Sequence, residues 1–242
     1  MQLDYSIIIP AYNEAVELPA TLEAIRRAMT LEQMFKGECI VVDNNSTDET
    51  SEIARKFGAD RIVFEPVNQI SRARNAGAHV SRGRYLIFID ADTRIDSVLL
   101  REALKLLESG YYVGGGALLE FEAPTGIVGR TSVQVWKYVS QWTNTAAGSF
   151  VFCRRDAFEE IGGFDLKLYA SEEIRLSRQL RKWGTQRQLD FKIINKSPVR
   201  TSARKFEWYG STGVLLGLLF LPLAPIIVRF RVLCRFWYKR PV

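Results

Sequence analysis

Two aspartates one residue apart, Asp90 and Asp92, follow a short apolar run and direct their carboxylates to the same side of an extended turn. A pair so placed can hold one hard divalent cation and leave its other positions to phosphate oxygens. A bare Asp-x-Asp is a weak pattern; its context gives it weight. Here it comes directly after Tyr85-Leu86-Ile87-Phe88-Ile89 and downstream of Ser71-Arg72-Ala73-Arg74-Asn75-Ala76-Gly77. Two earlier apolar runs end in the same manner, one in Ala11-Tyr12-Asn13-Glu14 and one in Asp43-Asn44-Asn45-Ser46. A single acid after a strand can simply cap the next helix. Carboxylates at three such ends call for a cation or a donor-rich ligand between them. Farther along, Glu172 and Glu173 open a helical pattern, where acids also complement the helix dipole.

The elements that must deliver these groups read as βαβ units on a parallel sheet. Strands are expected at Tyr5 to Ile9, entering a loop at Pro10, at Cys39 to Val42, at Arg61 to Phe64 and at Tyr85 to Ile89. Helical spacing covers Glu17 to Met29, Thr47 to Phe57 with Ser46 or Thr47 as its start, Ser71 to Val80, and a segment from Asp96 or Ser97 to Glu108. Ligands of such sheets sit beyond the carboxyl ends of the strands, near a reversal in strand order. The second hundred residues are less regular, with a longer strand at Val113 to Phe121 and a helix whose apolar face is Leu176, Leu180 and Trp183, closed by Gly184.

Composition narrows the classes. The chain has 242 residues, of which 47% are hydrophobic and 25% charged, suiting one large domain. Its three cysteines are far apart, which argues against a disulfide framework or zinc site and for a reducing compartment. The N-terminus shows no basic-then-apolar leader, so a cytoplasmic protein is expected. The net charge of +6 is concentrated at one end: from Pro198 onward eight Lys/Arg face one acid, Glu207. The first 197 residues hold 25 basic and 26 acidic residues, so the folded body lacks the basic stripe of a nucleic-acid binder. His79 has no neighbour at metal-ligand spacing and reads as structural or surface.

In order, Ile9-Pro10-Ala11-Tyr12-Asn13-Glu14, Val41-Val42-Asp43-Asn44-Asn45-Ser46-Thr47-Asp48, Ala73-Arg74-Asn75-Ala76-Gly77, Asp90-Ala91-Asp92, Gly162-Gly163-Phe164-Asp165 and Glu172-Glu173 closely resemble the family-2 glycosyltransferases over about residues 4 to 195. The resemblance implies an α/β GT-A fold, a Rossmann-like, mostly parallel sheet flanked by helices. It implies a UDP- or GDP-sugar donor, transfer to a hydroxyl acceptor with inversion, and Mn²⁺ or Mg²⁺. Carried over by position, Pro10, Tyr12, Glu14 and Asp43 would line the nucleoside pocket, while Arg72, Arg74 and Asn75 would face the nucleotide. Arg74 could also neutralise phosphate; both arginines could instead lie on an exposed helix face. Asp90 and Ala91 would lie near the ribose and metal, with Asp92 coordinating the ion. The family's base is the Asp of a Glu-Asp pair opening a helix. Here Glu173 stands at that place, one methylene longer, and Glu172 remains a rival. Gly148 and Trp142 would border the acceptor pocket, and Arg204 and Lys205 would close over the diphosphate or bind lipid head groups.

The tail completes the reading. Trp208 to Val228 is 21 uncharged residues interrupted by Pro222 and Pro225, and is followed by Arg229, Arg231, Arg235, Lys239 and Arg240. Cations on both flanks favour a re-entrant or interfacial segment at an anionic, cytoplasmic membrane face over a single span. A core or dimerisation helix is the competing reading. Residues 1–197 are expected to form the catalytic domain, with 1–110 its nucleotide half and 111–197 its acceptor half, and 198–242 a membrane-associating segment. The acceptor is then lipid-linked or a small hydroxyl compound. Two alternatives remain: a nucleotidyltransferase, which would carry a glycine-rich basic loop after the first strand, or a catalytically silent nucleotide-sugar-binding module.

Overall fold

The computed structural model describes residues 3–121, 146 and 148–202, together with Arg229 and Cys234. Eight strands among these residues form one mixed sheet in the order β3-β2-β1-β4-β7-β6-β8-β5. The first four, β1 (Leu3–Ala11), β2 (Gly37–Asp43), β3 (Arg61–Phe64) and β4 (Gly83–Ile89), are parallel. Their connections are the helices α1 (Leu18–Leu31), α2 (Thr50–Lys56) and α3 (Ile70–Val80). This is the expected βαβ series, and chain order reverses between β1 and β4. The carboxyl ends of those two strands therefore open the crevice where ligands of such sheets bind.

The first strand runs past its expected end. Pro10 lies inside β1 at the level of Val42 of β2, whereas pairing with β4 stops at Ile8. Pro10 thus has one strand neighbour in place of two. The hydrogen bond it forgoes is worth about 0.5–1.5 kcal/mol. The adjoining Ile7, Ile8 and Ile9 are fully buried, and each contributes about 1.5–3 kcal/mol. Burial wins.

The second helix starts later than expected, at Thr50, because Ser46 and Thr47 are held by Asn13 of the neighbouring loop and do not cap a helix. Beyond Asp92 the chain makes the short β5 (Thr93–Arg94) and then α4 (Ser97–Glu108), capped by Asp96 Oδ1 accepting from the Leu99 N–H at 2.8 Å. The second half supplies β6 (Tyr112–Phe121), β7 (Phe150–Arg154), α5 (Arg155–Glu160), α6 (Glu172–Thr185) and β8 (Asp190–Thr201). Strand β7 is antiparallel to β4 and β6, whereas β8 is parallel to β6 and antiparallel to β5. Strand β8 runs through the expected domain boundary at 197/198, so the folded body extends to Thr201.

Two apolar layers sandwich the sheet. Leu18, Leu22 and Ile25 of α1 with Leu99, Leu100, Leu104 and Leu107 of α4 cover one face. Ala73 and Ala78 of α3, Ala157 and Phe158 of α5, and Leu176, Leu180 and Trp183 of α6 cover the other. Gly77 lets α3 lie directly on the sheet, since a Cβ there would sit 2.4 Å from Ile8 Cγ2 and 2.9 Å from Val42 Cγ2. Gly184 does not close its helix. It lies in the last turn of α6, where a Cβ would meet the Leu189 carbonyl oxygen at 2.6 Å. His79 is exposed, as expected. The apolar tail, Trp136 and Trp142 lie outside the described residues, among which no helix is long and apolar enough to cross a membrane.

Candidate active site

The Asp90-Ala91-Asp92 turn leaves the end of β4 and is anchored from four directions. The Asp90 N–H donates to the Ser149 carbonyl at 3.3 Å, tying the turn to the start of β7. Thr21 Oγ1 of α1 donates to the Ala91 carbonyl at 2.8 Å. The Ser202 N–H donates to the Asp92 carbonyl at 3.1 Å, and β5 next to it pairs with the end of β8. Arg74 Nη2 donates to Asp90 Oδ1 at 2.7 Å. Asp92 itself is buried. The two carboxylates are thus fixed in place by the backbone around them, as a preorganised cation site requires.

The loops after β1 and β2 interlock beside this turn. Asn13, at φ 51°, donates its N–H to Ser46 Oγ at 3.0 Å and accepts from the Thr47 N–H at 2.7 Å. The Glu14 N–H donates to Thr50 Oγ1 at 2.9 Å and the Ala15 N–H to Asp48 Oδ2 at 3.1 Å. Asp43 is buried and accepts from the Ser46 N–H at 2.9 Å and from Ser51 Oγ. It therefore organises the turn that follows it, whatever else it does. Pro10 and Glu14 are buried and Tyr12 half-buried at this rim. Asn44 extends the scaffold, donating to the Glu65 and Val67 carbonyls at 3.2 and 2.7 Å and accepting from the Gln69 N–H at 2.9 Å. That set of bonds fixes the approach to α3.

The α3 residues expected to face the nucleotide divide into three fates. Arg72 is half-buried. Asn75 pairs reciprocally with the backbone of Phe164, donating to its carbonyl and accepting from its N–H, both at 2.9 Å. Asn75 thus holds the Gly162-to-Asp165 turn, which packs directly on α3. Arg74 is 1% exposed. Its Nη1 donates to Glu172 Oε1 at 2.6 Å, and Nη2 donates to the Gly148 carbonyl at 2.8 Å as well as to Asp90. The Phe164 ring lies against the same guanidinium, 5.1 Å from Cζ to centroid. The alternative of an exposed helix face is overturned by this burial; the guanidinium is engaged by the carboxylates around it. Burial opposes its charge, but Asp90, Glu172 and Glu173 outweigh that and hold the guanidinium above its ordinary value.

The two glutamates open α6 behind Ser171, whose φ of 60° is unusual for a residue other than glycine. Glu172 is 4% exposed, whereas Glu173 is only half-buried. Burial, then the neighbouring Glu172 and Asp90, push the Glu173 carboxyl up to about 8, with Arg74 opposing. The Gly148 backbone lies against this side chain: a Cβ at Gly148 would stand 3.3 Å from Glu173 Cδ. Glycine there makes room for the longer acid. Such a group suits proton abstraction near neutral pH.

Sequence reasoning missed Ser149. It is 6% exposed, and its buried Oγ has no hydrogen-bond partner among the described residues. Its position directly after Gly148 and opposite Asp90, one step beyond the Ile89–Phe150 pair, is the only signal that could have singled it out. Asp90 and Asp92 offer hard oxygen donors of the kind Mg²⁺ and Mn²⁺ take. Among the described residues no group of three acidic, histidine or cysteine side chains gathers for a metal. Asp90 and Asp92 would therefore suit an ion that completes its shell with phosphate oxygens. Trp142, Arg204 and Lys205 lie outside the described residues.

Comparison with known proteins agrees with this geometry. The family model for "Glycosyl transferase family 2" matches residues 6–162. Glycosyltransferase AglE of Haloferax volcanii is 30% identical over 207 residues, covering 81% of this chain and 67% of its own length. The dolichyl-phosphate beta-glucosyltransferase of Drosophila melanogaster is 33% identical over 211 residues, covering 72% of this chain and 64% of its own. Among solved structures, the mannosyltransferase PcManGT of Pyrobaculum calidifontis in complex with GDP-Man and Mn²⁺ superposes with a TM-score of 0.66 at 19% identity, over 84% of this chain and 57% of that one. The chain thus spans about two thirds or less of these relatives.

Proposed function

Because the chain belongs to glycosyl transferase family 2 and is a glycosyltransferase, we propose that it transfers a sugar from a UDP- or GDP-sugar to a hydroxyl acceptor with inversion, using Mn²⁺ or Mg²⁺. The observation that carries this reading is the anchored Asp90-Ala91-Asp92 turn at the strand-order reversal, joined through Arg74 to the helix that carries Glu173. Pro10, Tyr12, Glu14 and Asp43 line the nucleoside side, and Arg72 is the cation of α3 left for the nucleotide. Asp92, with Asp90 beside it, would hold the divalent ion, which when bound supplies Lewis-acid stabilisation of the leaving diphosphate. Glu173 takes the proton of the acceptor hydroxyl as its oxygen attacks the anomeric carbon. The bond from that carbon to the diphosphate oxygen breaks, and its electron pair leaves with the diphosphate. Gly148 keeps the space beside Glu173 open to the acceptor.

Support for the donor and ion comes from PcManGT, whose complex holds GDP-Man and Mn²⁺. Support for a lipid-linked acceptor comes from the dolichyl-phosphate enzyme and from the basic, apolar tail of this chain. We propose that this tail holds the enzyme at the cytoplasmic face of a membrane. The residues before it then divide into a nucleotide half up to about residue 110 and an acceptor half after it. Strand β8 ends next to Asp92, and Ser202 is two residues before Arg204. That proximity favours Arg204 and Lys205 as the cations that close over the diphosphate.

The decisive assay is release of nucleoside diphosphate from UDP- and GDP-sugars, with Mn²⁺, with Mg²⁺ and with chelator. Turnover that needs the ion and is abolished in Asp92→Ala supports the reading; an Asp92→Ala enzyme as active as wild type removes the metal assignment. Fractionation tests the tail. The full chain is expected in the membrane fraction and a chain ending at Ser202 in the soluble one.

A further inference from the structure

The proposed reaction gives Glu173 a duty but none to the adjacent Glu172 or to the buried Arg74. We infer that Arg74 is a positioning residue, one that fixes Asp90 and withdraws Glu172 from the reaction, leaving Glu173 as the carboxylate that meets the acceptor. The inference rests on the proposed transfer reaction and sharpens its choice of base.

Three observations converge on it. First, Arg74 joins three separate pieces of chain: the end of β4 through Asp90, the residue before Ser149 through the Gly148 carbonyl, and the start of α6 through Glu172, all at 2.6–2.8 Å. Charge-assisted hydrogen bonds of this length are about twice as strong as neutral ones, and the planar fork fixes direction as well as distance. Second, the guanidinium has little left to offer a substrate. Both terminal nitrogens are engaged, the Phe164 ring covers it, and Nε is buried without a partner among the described residues. A phosphate could reach Arg74 only by displacing a carboxylate already in place.

Third, the two glutamates are unequal. Glu172 is 4% exposed with one oxygen on Arg74, whereas Glu173 is half-buried, and its carboxyl lies along the Gly148 backbone. Successive positions at a helix start point about 100° apart. An ion pair that fixes Glu172 inward therefore sets where Glu173 points. Ser171 in the left-handed region immediately before them shows that the chain is held in this approach by its surroundings.

The test separates positioning from phosphate binding. Arg74→Lys keeps a charge but loses the fork. It is expected to lower kcat about 100-fold, the scale of a 1 Å misplacement. Binding of the free nucleoside diphosphate with Mn²⁺, read by calorimetry, should stay within about threefold of wild type, the mark of an interaction made only in the reaction step. To guard against a folding defect in Arg74→Lys, Arg74→Ala is assayed with and without added guanidinium chloride at sub-denaturing concentration. Partial recovery of kcat is expected. A cycle of Arg74→Lys, Glu172→Gln and the double variant completes the set, with the double variant no slower than Arg74→Lys alone.

Undiminished kcat in Arg74→Lys overturns the inference. So does retained kcat with nucleoside diphosphate binding weakened tenfold or more, which returns Arg74 to the phosphate. Strictly additive losses in the cycle overturn the link to Glu172. Wild-type turnover by Glu173→Gln is a separate failure: it removes the base assignment, whatever Arg74 does.

Discussion

The sheet edge that forms the site is built from two regions that treat their polar groups in opposite ways. On the β1–β4 side, Asn13 and Asp43 both hold Ser46, Thr50 holds the Glu14 N–H, and Asn44 holds the Gln69 N–H. On the β7–α6 side, Ser149 Oγ is buried without a partner among the described residues, and Glu173 holds its proton to unusually high pH. The first region is finished before any ligand arrives. The second stores unfavourable free energy next to where chemistry is proposed, as sites that must change charge during a reaction commonly do. Substitutions on the first side should therefore act through stability and donor binding, and those on the second through kcat.

The largest contrast is expected from Glu173→Gln. It should lower kcat by about 10²–10⁴-fold, the usual contribution of a general base, with donor binding intact by calorimetry. The same variant should be more stable than wild type. The folded-state value of about 8 lies above the ordinary value of 4.5, so the folded protein binds this proton more tightly than the unfolded chain does. Stability from this group is then complete below about pH 4.5 and lost as pH rises toward 8. Glutamine carries no such loss. Thermal melts of the two proteins should coincide near pH 4 and separate in favour of the variant by roughly a few degrees near pH 8. A variant melting lower at every pH would break the comparison.

Asp92→Ala comes next, with a fall of about 10²–10³-fold in kcat/KM and loss of the Mn²⁺ response, since it removes stabilisation of developing charge. The wild-type rate should follow the ionised fraction of Glu173. Thus kcat/KM climbs about tenfold between roughly pH 6 and 7 and levels above about 8. A flat profile across that window sinks Glu173 as base. Smaller still is Asn13→Ala, which forfeits the side chain's cross-loop bonds to the Thr47 N–H and hydroxyl and a residue tolerant of φ 51°. Chemical denaturation should show a loss of about 1–2 kcal/mol, and donor KM should rise with kcat little changed. Ser149→Ala is expected to change stability least, by under about 1 kcal/mol, because its hydroxyl forms no bond to lose. A kcat effect without a stability effect would mark that hydroxyl as a ligand contact.

The two regions also differed in how openly the sequence displayed them. Strands β1, β2 and β4 are largely buried and show as apolar runs, so the acids that follow them were plain, although β1 continues two residues past its apparent end, to Ala11. Strand β8 was not legible. Asn195-Lys196-Ser197-Pro198 interrupts its apolar pattern where its register with β6 shifts between Ala117 and Leu119. Arg74 shows the limit more sharply. A cation on a helix reads as solvated or ligand-facing, and only the convergence of Asp90, Gly148 and Glu172 from distant segments reveals that it is buried. Ser46 and Thr47 looked like a helix start for a similar reason. Capping residues serve equally well to tie two loops together, and the partner that decides, Asn13, is 33 and 34 positions away.

The last strand has a consequence for how the enzyme is made. Synthesis delivers β1 to β4 early, and such a unit can begin to pair while the rest of the chain is still being added. The Asp90-Ala91-Asp92 turn receives its final anchors only from Thr201 and Ser202, well over a hundred residues later in the chain order set by β8 and β5. A ribosome-held chain stopped before residue 201 is therefore expected to bind nucleotide loosely and to transfer no sugar. Competence therefore arrives only as Ser202, and the proposed diphosphate cations Arg204 and Lys205 just after it, are added. Catalysis and the tail thus become available to the cell at nearly the same moment of translation.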